Sequence, residues 1–208
     1  MNYDPEKHQR RSIRMRGYDY SGPGQYFVTI CVQGWRPLYG AVRNDEMILN
    51  DAGRMVERWW AELANKFLLV DLGLHITMPN HFHCIIEIVD PRQRVYEGKV
   101  PPERSAPLSE IIQWFKTMTT NDYIAGVKKL GWPRFEGKLW QRNYYEHTIN
   151  SLRALRNIRE YIRGNPRMWK YDRVNPDGTA PDRDEIGNMM SGEFDITEDD
   201  LNFILSFE

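Results

Sequence analysis

The sequence predicts an α+β fold, a central, mainly antiparallel sheet with helices packed on it. Three observations carry that prediction. Short runs rich in aromatic and β-branched residues interleave with longer runs of helical periodicity. Two of the strand-like runs are joined by a tight Met78-Pro79-Asn80 turn. The chain has 208 residues, 41% of them apolar, enough for one substantial core.

The elements follow in order. "QYFVTICVQ" at 25–33 reads as a strand, and 38–49 as its return. Asn50-Asp51 caps a helix whose Met55, Val56, Trp59, Trp60 and Leu63 recur at helical spacing. Strands are expected at 69–77 and 81–89, and the proline-rich 91–107 reads as an excursion. A helix from Leu108 to about Lys129 presents Ile111, Ile112, Phe115, Met118 and Ile124. Beyond a Gly-Trp-Pro turn, "KLWQRNYYEHTI" at 138–149 is strand-like, and a last helix runs from Asn150 to about Gly164. Gly164 and Pro166 place its end near Asn165. Cys31 and Cys84 sit inside apolar runs and read as buried thiols.

No run approaches the roughly 18 apolar residues of a membrane span. The N-terminus is charged from Asp4 to Arg16 with no apolar run behind it, so no membrane partner and a cytoplasmic location are expected. The net charge of −1 conceals an asymmetry. Residues 177–208 hold ten acidic side chains against Arg183 alone, which leaves the body cationic. Positive charge gathers in "KHQRRSIRMR" and between Arg134 and Arg173, a pattern that suits a polyanion such as nucleic acid, or simply a solvated basic surface. The chain divides into a domain over 1–176, with a basic arm at 1–24, and an acidic tail at 177–208.

"HITMPNHFHCIIEI", residues 75–88, raises the functional question. Alternation along a strand puts His81, His83, Ile85 and Glu87 on one face and Phe82, Cys84, Ile86 and Ile88 on the other. The second set is core. The first pairs two imidazoles on a face expected to be open to substrate, where they could ligate one divalent ion. A bare His-x-His also fits a surface pair or a satisfied buried pair, and a third ligand must come from elsewhere.

On the last helix Leu152, Leu155, Ile158 and Ile162 form an apolar stripe, with Arg153, Arg156, Arg159 and Arg163 beside it. Tyr161 flanks the stripe and Asn165 lies about one turn on. A tyrosine in that place is also an ordinary core residue with a wet hydroxyl.

Together these stretches resemble the single-tyrosine HUH transposases, in particular the REP-associated tyrosine transposases. The resemblance spans most of residues 8–176. It is carried by "RRSIRMRGYDYSGPGQYFVTICVQ", "MPNHFHCIIEI", "LWQRNYYEHTI" and "NIREYIRGNPRMW", in that order. It implies a ferredoxin-like HUH fold with the nucleophile on a C-terminal helix. It also implies His81 and His83 as metal ligands, Asn165 as the third, Tyr161 as nucleophile, and Mg²⁺ or Mn²⁺ as the ion. The implied activity is cleavage and rejoining of single-stranded DNA next to a hairpin, a REP-like palindromic element, through a 5′-phosphotyrosine, by a monomer or homodimer. Arg10, Arg11, Arg14, Arg16, Arg142, Arg153 and Arg156 are the expected nucleic-acid contacts, with Trp140, Tyr144 and Tyr145 as surfaces for unstacked bases or as core packing, the latter for at least one of the two adjacent tyrosines, since strand neighbours face opposite ways. His147 is expected to be structural. Two alternatives remain: a sequence-specific DNA-binding protein of the same fold without cleavage activity, and a metal-dependent phosphodiesterase that uses activated water.

Overall fold

The structure, a computed structural model, describes residues 22–94, 104–172 and 174–178. Arg10, Arg11, Arg14 and Arg16 of the basic arm, and all but two residues of the acidic tail, lie outside the described residues.

Four strands form the central sheet: β1 (Gly24–Cys31), β4 (Val70–Thr77), β5 (His81–Ile88) and β6 (Tyr145–Ile149). Their order is β4-β5-β1-β6, and every neighbouring pair is antiparallel. The single return strand expected at 38–49 is instead a separate hairpin, β2 (Gly40–Arg43) with β3 (Glu46–Leu49), whose strands pair with each other and not with β1. Helix α1 (Asp51–Lys66) links β1 and its hairpin to β4, and α2 (Leu108–Leu130) links β5 to β6. That is the ferredoxin-like split β-α-β topology. Helix α3 (Leu152–Met168) follows β6. Among the described residues no helix is long and apolar enough to cross a membrane.

The sheet has a core on each face. Phe82, Cys84, Ile86 and Ile88 of β5 join Tyr26, Val28 and Ile30 of β1 under α1 and α2, which contribute Met55, Val56, Trp60, Leu63, Ile111 and Phe115. Asn50 caps α1, its side-chain oxygen accepting from the Gly53 amide at 2.9 Å. On the opposite face Phe27, Ile85, Ile149, Ile158 and Ile162 make a smaller core that seats α3. Both cysteines are buried and free. Burial, with the Asp172 carboxylate adding to it, pushes the Cys31 thiol up to about 12.

Three further expectations need correction. The last helix does not stop near Gly164 but runs through Pro166 to Met168. Asn165, Pro166 and the following Trp169 are buried, so packing overrides the local stop signals. Leu152, the first residue of α3, is 86% exposed and does not join the buried apolar stripe. The strand expected at 138–149 is regular only from Tyr145, with one isolated bridge between Trp140 and Val32. Between them the buried Lys116 ammonium donates to the carbonyls of Gln141, Arg142 and Asn143, at 2.9, 3.4 and 3.0 Å. Three successive carbonyls turned onto one cation cannot serve a strand ladder, and burial lowers the lysine to about 8.

Phe82 is fully buried between Trp60 and Phe115, so Phe82→Ala should cost about 3–5 kcal/mol in chemical denaturation. Leu152→Ala should stay within about 0.5 kcal/mol of wild type in the same measurement.

Candidate metal and nucleophile site

His81 and His83 occupy the start of β5 on the face that α3 covers, their ring centroids 4.5 Å apart. The same alternation that sends Phe82 and Cys84 into the helical core sends the imidazoles the other way. They are not open to substrate as expected: His81 is 2% exposed and His83 3%. Trp169 stands 6.0 Å from the His81 ring, while Phe27 and Tyr161 stand 5.5 and 5.2 Å from the His83 ring. The cause is the longer α3, which brings Trp169, the residue that follows it, against the His81 ring.

Each ring is held from behind. Thr29, opposite His83 in the β1–β5 register, has its hydroxyl 2.8 Å from His83 Nδ1. Asn80 Oδ1 lies 2.9 Å from His81 Nδ1. The other nitrogens face α3. His83 Nε2 is 3.4 Å from the Tyr161 hydroxyl, and Tyr161 packs edge-on against Phe27. His81 Nε2 is buried and has no hydrogen-bond partner, and so is Asn165 Oδ1. The Asn165 amide nevertheless lies close enough to His81 to favour its protonated form. Neither atom finds a donor in the protein, and a proton or a cation could satisfy either of them.

Burial keeps both rings neutral. It lowers His81, against opposing pulls from the Asp172 carboxylate and the Asn165 amide. It lowers His83 well below the usual imidazole value, and repulsion from a charged His81 adds to the effect. Neutral imidazole is the form that ligates metal. Among the described residues no group of three or more His, Cys, Asp and Glu could hold an ion. Asn165, one helical turn beyond Tyr161, is buried on the same helix.

The structure therefore brings together His81, His83, Tyr161 and Asn165. Arg153, Arg156, Arg159 and Arg163 are exposed along the outer side of α3, and Arg142 is exposed in the segment before β6. Trp140 is not available to bases: it is 4% exposed, and its indole N–H donates to Thr119 Oγ1 at 2.8 Å. Tyr144 is partly buried against the helical core, with the Lys116 ammonium 5.7 Å from its ring centroid. Tyr145 and His147 lie on the edge strand opposite Thr29 and Phe27. Sequence reasoning missed Thr29, Asn80, Trp169 and Asp172. Thr29 was within reach of the alternation rule once β1 and β5 were paired, but pairing and register are not written in either strand.

The sequence is 34% identical over 177 residues to an uncharacterized protein of Haemophilus influenzae, the match covering 83% of this chain and 96% of the relative. The chain belongs to that protein's family. No family model matches it. A REP-associated tyrosine transposase, solved bound to a REP hairpin, is similar in structure with a TM-score of 0.48. It shares 19% identity, over 74% of this chain and 73% of that one. A Deinococcus radiodurans protein assigned as a transposase gives a TM-score of 0.43 at 14% identity, over 73% of this chain and 95% of that one.

The neutral histidine pair has a measurable consequence. Both folded-state values lie below the ordinary 6.5, so as pH falls the unfolded chain takes up protons first. The stability present above that value is then lost progressively below it. Melts from pH 7.5 to 5 should show this fall, and a His81→Gln/His83→Gln chain should show a flatter profile over the same window.

Proposed function

We propose that this chain cleaves and rejoins single-stranded DNA beside a hairpin, as a metal-dependent HUH transposase with Tyr161 as nucleophile. One observation carries the reading. The Tyr161 hydroxyl stands 3.4 Å from His83 Nε2, beside two buried acceptors, His81 Nε2 and Asn165 Oδ1, that no protein donor satisfies. The resemblance of four ordered sequence stretches to the single-tyrosine family supports the same chemistry.

His81, His83 and Asn165 would hold a Mg²⁺ or Mn²⁺ ion, which when bound would withdraw charge from a scissile phosphate. All three donors are neutral, which suits a hard ion that keeps waters and accepts phosphate oxygens. Thr29 keeps the His83 ring oriented, and packing against Phe27 keeps the tyrosine ring from swinging away. The Tyr161 oxygen attacks phosphorus and the bond to the 3′ oxygen breaks. The phenol loses one proton, and the departing 3′ oxygen takes up one. The product is a 5′-phosphotyrosine and a free 3′-hydroxyl. The phosphotyrosine ester keeps the bond energy of the broken link, so a 3′-hydroxyl can reverse the step and rejoin strands at the same site. The exposed arginines of α3, with Arg142, would follow the phosphates, joined by the arm residues Arg10, Arg11, Arg14 and Arg16.

The full chain incubated with Mn²⁺ and a labelled hairpin oligonucleotide should give a shifted band on a denaturing gel. Tyr161→Phe should abolish that band while oligonucleotide binding stays within a few-fold, since one hydroxyl is lost and little packing. Cleavage by the Phe variant, or cleavage by wild type with no adduct, would make water the nucleophile and overturn the assignment of Tyr161.

A further inference from the structure

The proposed chemistry leaves unused a carboxamide that the fold treats with care. Asn80 is fully buried in the turn between β4 and β5. Its Nδ2 donates to the Trp35 carbonyl at 2.8 Å and to the Val174 carbonyl at 2.6 Å. Both amide hydrogens are thereby committed, so the end of the amide facing His81 Nδ1 at 2.9 Å is the oxygen. An amide oxygen can only accept. His81 must then carry its hydrogen on Nδ1, and Nε2 must present a lone pair toward Asn165.

The two carbonyls come from separate parts of the chain. Trp35 lies between β1 and β2 with φ of 56°, directly after Gly34 at 70°. Left-handed backbone is rare for a bulky residue and persists only where the surroundings impose it. Val174 belongs to the turn beyond α3, where its amide donates to Asp172 Oδ1 at 3.0 Å and Asn175 Nδ2 donates to the Trp169 carbonyl at 2.9 Å. That turn closes on the end of the helix bearing Tyr161 and Asn165. One side chain thus joins a strained loop, a histidine strand and the far end of the nucleophile helix.

We propose that Asn80 is a positioning residue of the ion site: it fixes the His81 tautomer with the lone pair on Nε2 and docks the end of α3 over that lone pair. This rests on His81 being a metal ligand. A merely structural asparagine would be equally buried and bonded, but its loss would not move the tautomer or the ion affinity of a folded chain.

The test uses the full chain in two measurements. In metal-free protein, nitrogen NMR of labelled histidine should place the His81 hydrogen on Nδ1 in wild type and move it toward Nε2 in Asn80→Ala. Asn80→Asp keeps an acceptor for that hydrogen while losing both donors, so it should retain the wild-type tautomer but melt lower. Titration with Mn²⁺ alone should show about 10–100-fold weaker binding for Asn80→Ala than for wild type. Wild-type His81 with its hydrogen on Nε2 overturns the inference, and so does a folded Asn80→Ala chain that binds Mn²⁺ as tightly as wild type. A wild-type chain that binds no Mn²⁺ sinks the ion site itself and the inference with it. Should Asn80→Ala fail to fold, the wild-type tautomer decides.

Discussion

Everything in this molecule leans on the register of one strand pair. β5 lies between β4 and β1 with α1 and α2 packed on one face and α3 on the other, so both of its faces are buried, and its eight residues divide strictly between two environments. Against β1 the register sets His83 opposite Thr29 and His81 opposite Cys31. A slip of one residue would send the imidazoles into the aromatic core of α1 and α2 and bring Phe82 and Cys84 to the α3 face. The aromatic contacts of Phe82 with Trp60 and Phe115 therefore do more than stabilise: they fix where two polar rings must point. The two cores divide the labour, the large one setting the register and the small one seating the helix that faces the histidines.

Burial then shapes the chemistry. An imidazole removed from water is held neutral, and a buried acceptor without a donor is costly. The fold meets part of that cost behind the rings, through Thr29 and Asn80, and leaves it unmet in front, at His81 Nε2 and Asn165 Oδ1. Under the proposed function these open acceptors are where the ion would bind. The exposed arginines of α3 and its residues buried beside the histidines sit on opposite sides of one helix.

Much of this was legible in the sequence. The alternation of β5 follows from one run of residues, and the spacing of Tyr161 and Asn165 follows from helical geometry. The end of α3 was misread because Gly164 and Pro166 are local stop signals, whereas burial of Asn165 and Trp169 is a tertiary effect. The shortening of β6 depended on Lys116, more than twenty residues upstream, and no local pattern announces that a buried ammonium will collect three carbonyls. Asn80 looked like a turn former beside Pro79. Its work depends on Trp35 and Val174, which only the folded chain brings to it. Closure of the histidine face was hidden for the same reason, since the covering residues belong to the far end of another element.

The central claim is that two buried imidazoles and one amide form a single ion site. Electron spin echo modulation of Mn²⁺ added to the full chain tests it most directly, because it reports nitrogen bound to the ion. The account predicts coupling to two imidazole nitrogens in wild type and to one in His81→Gln or His83→Gln. An ion with no nitrogen coupling, or a spectrum unchanged by either substitution, would contradict it.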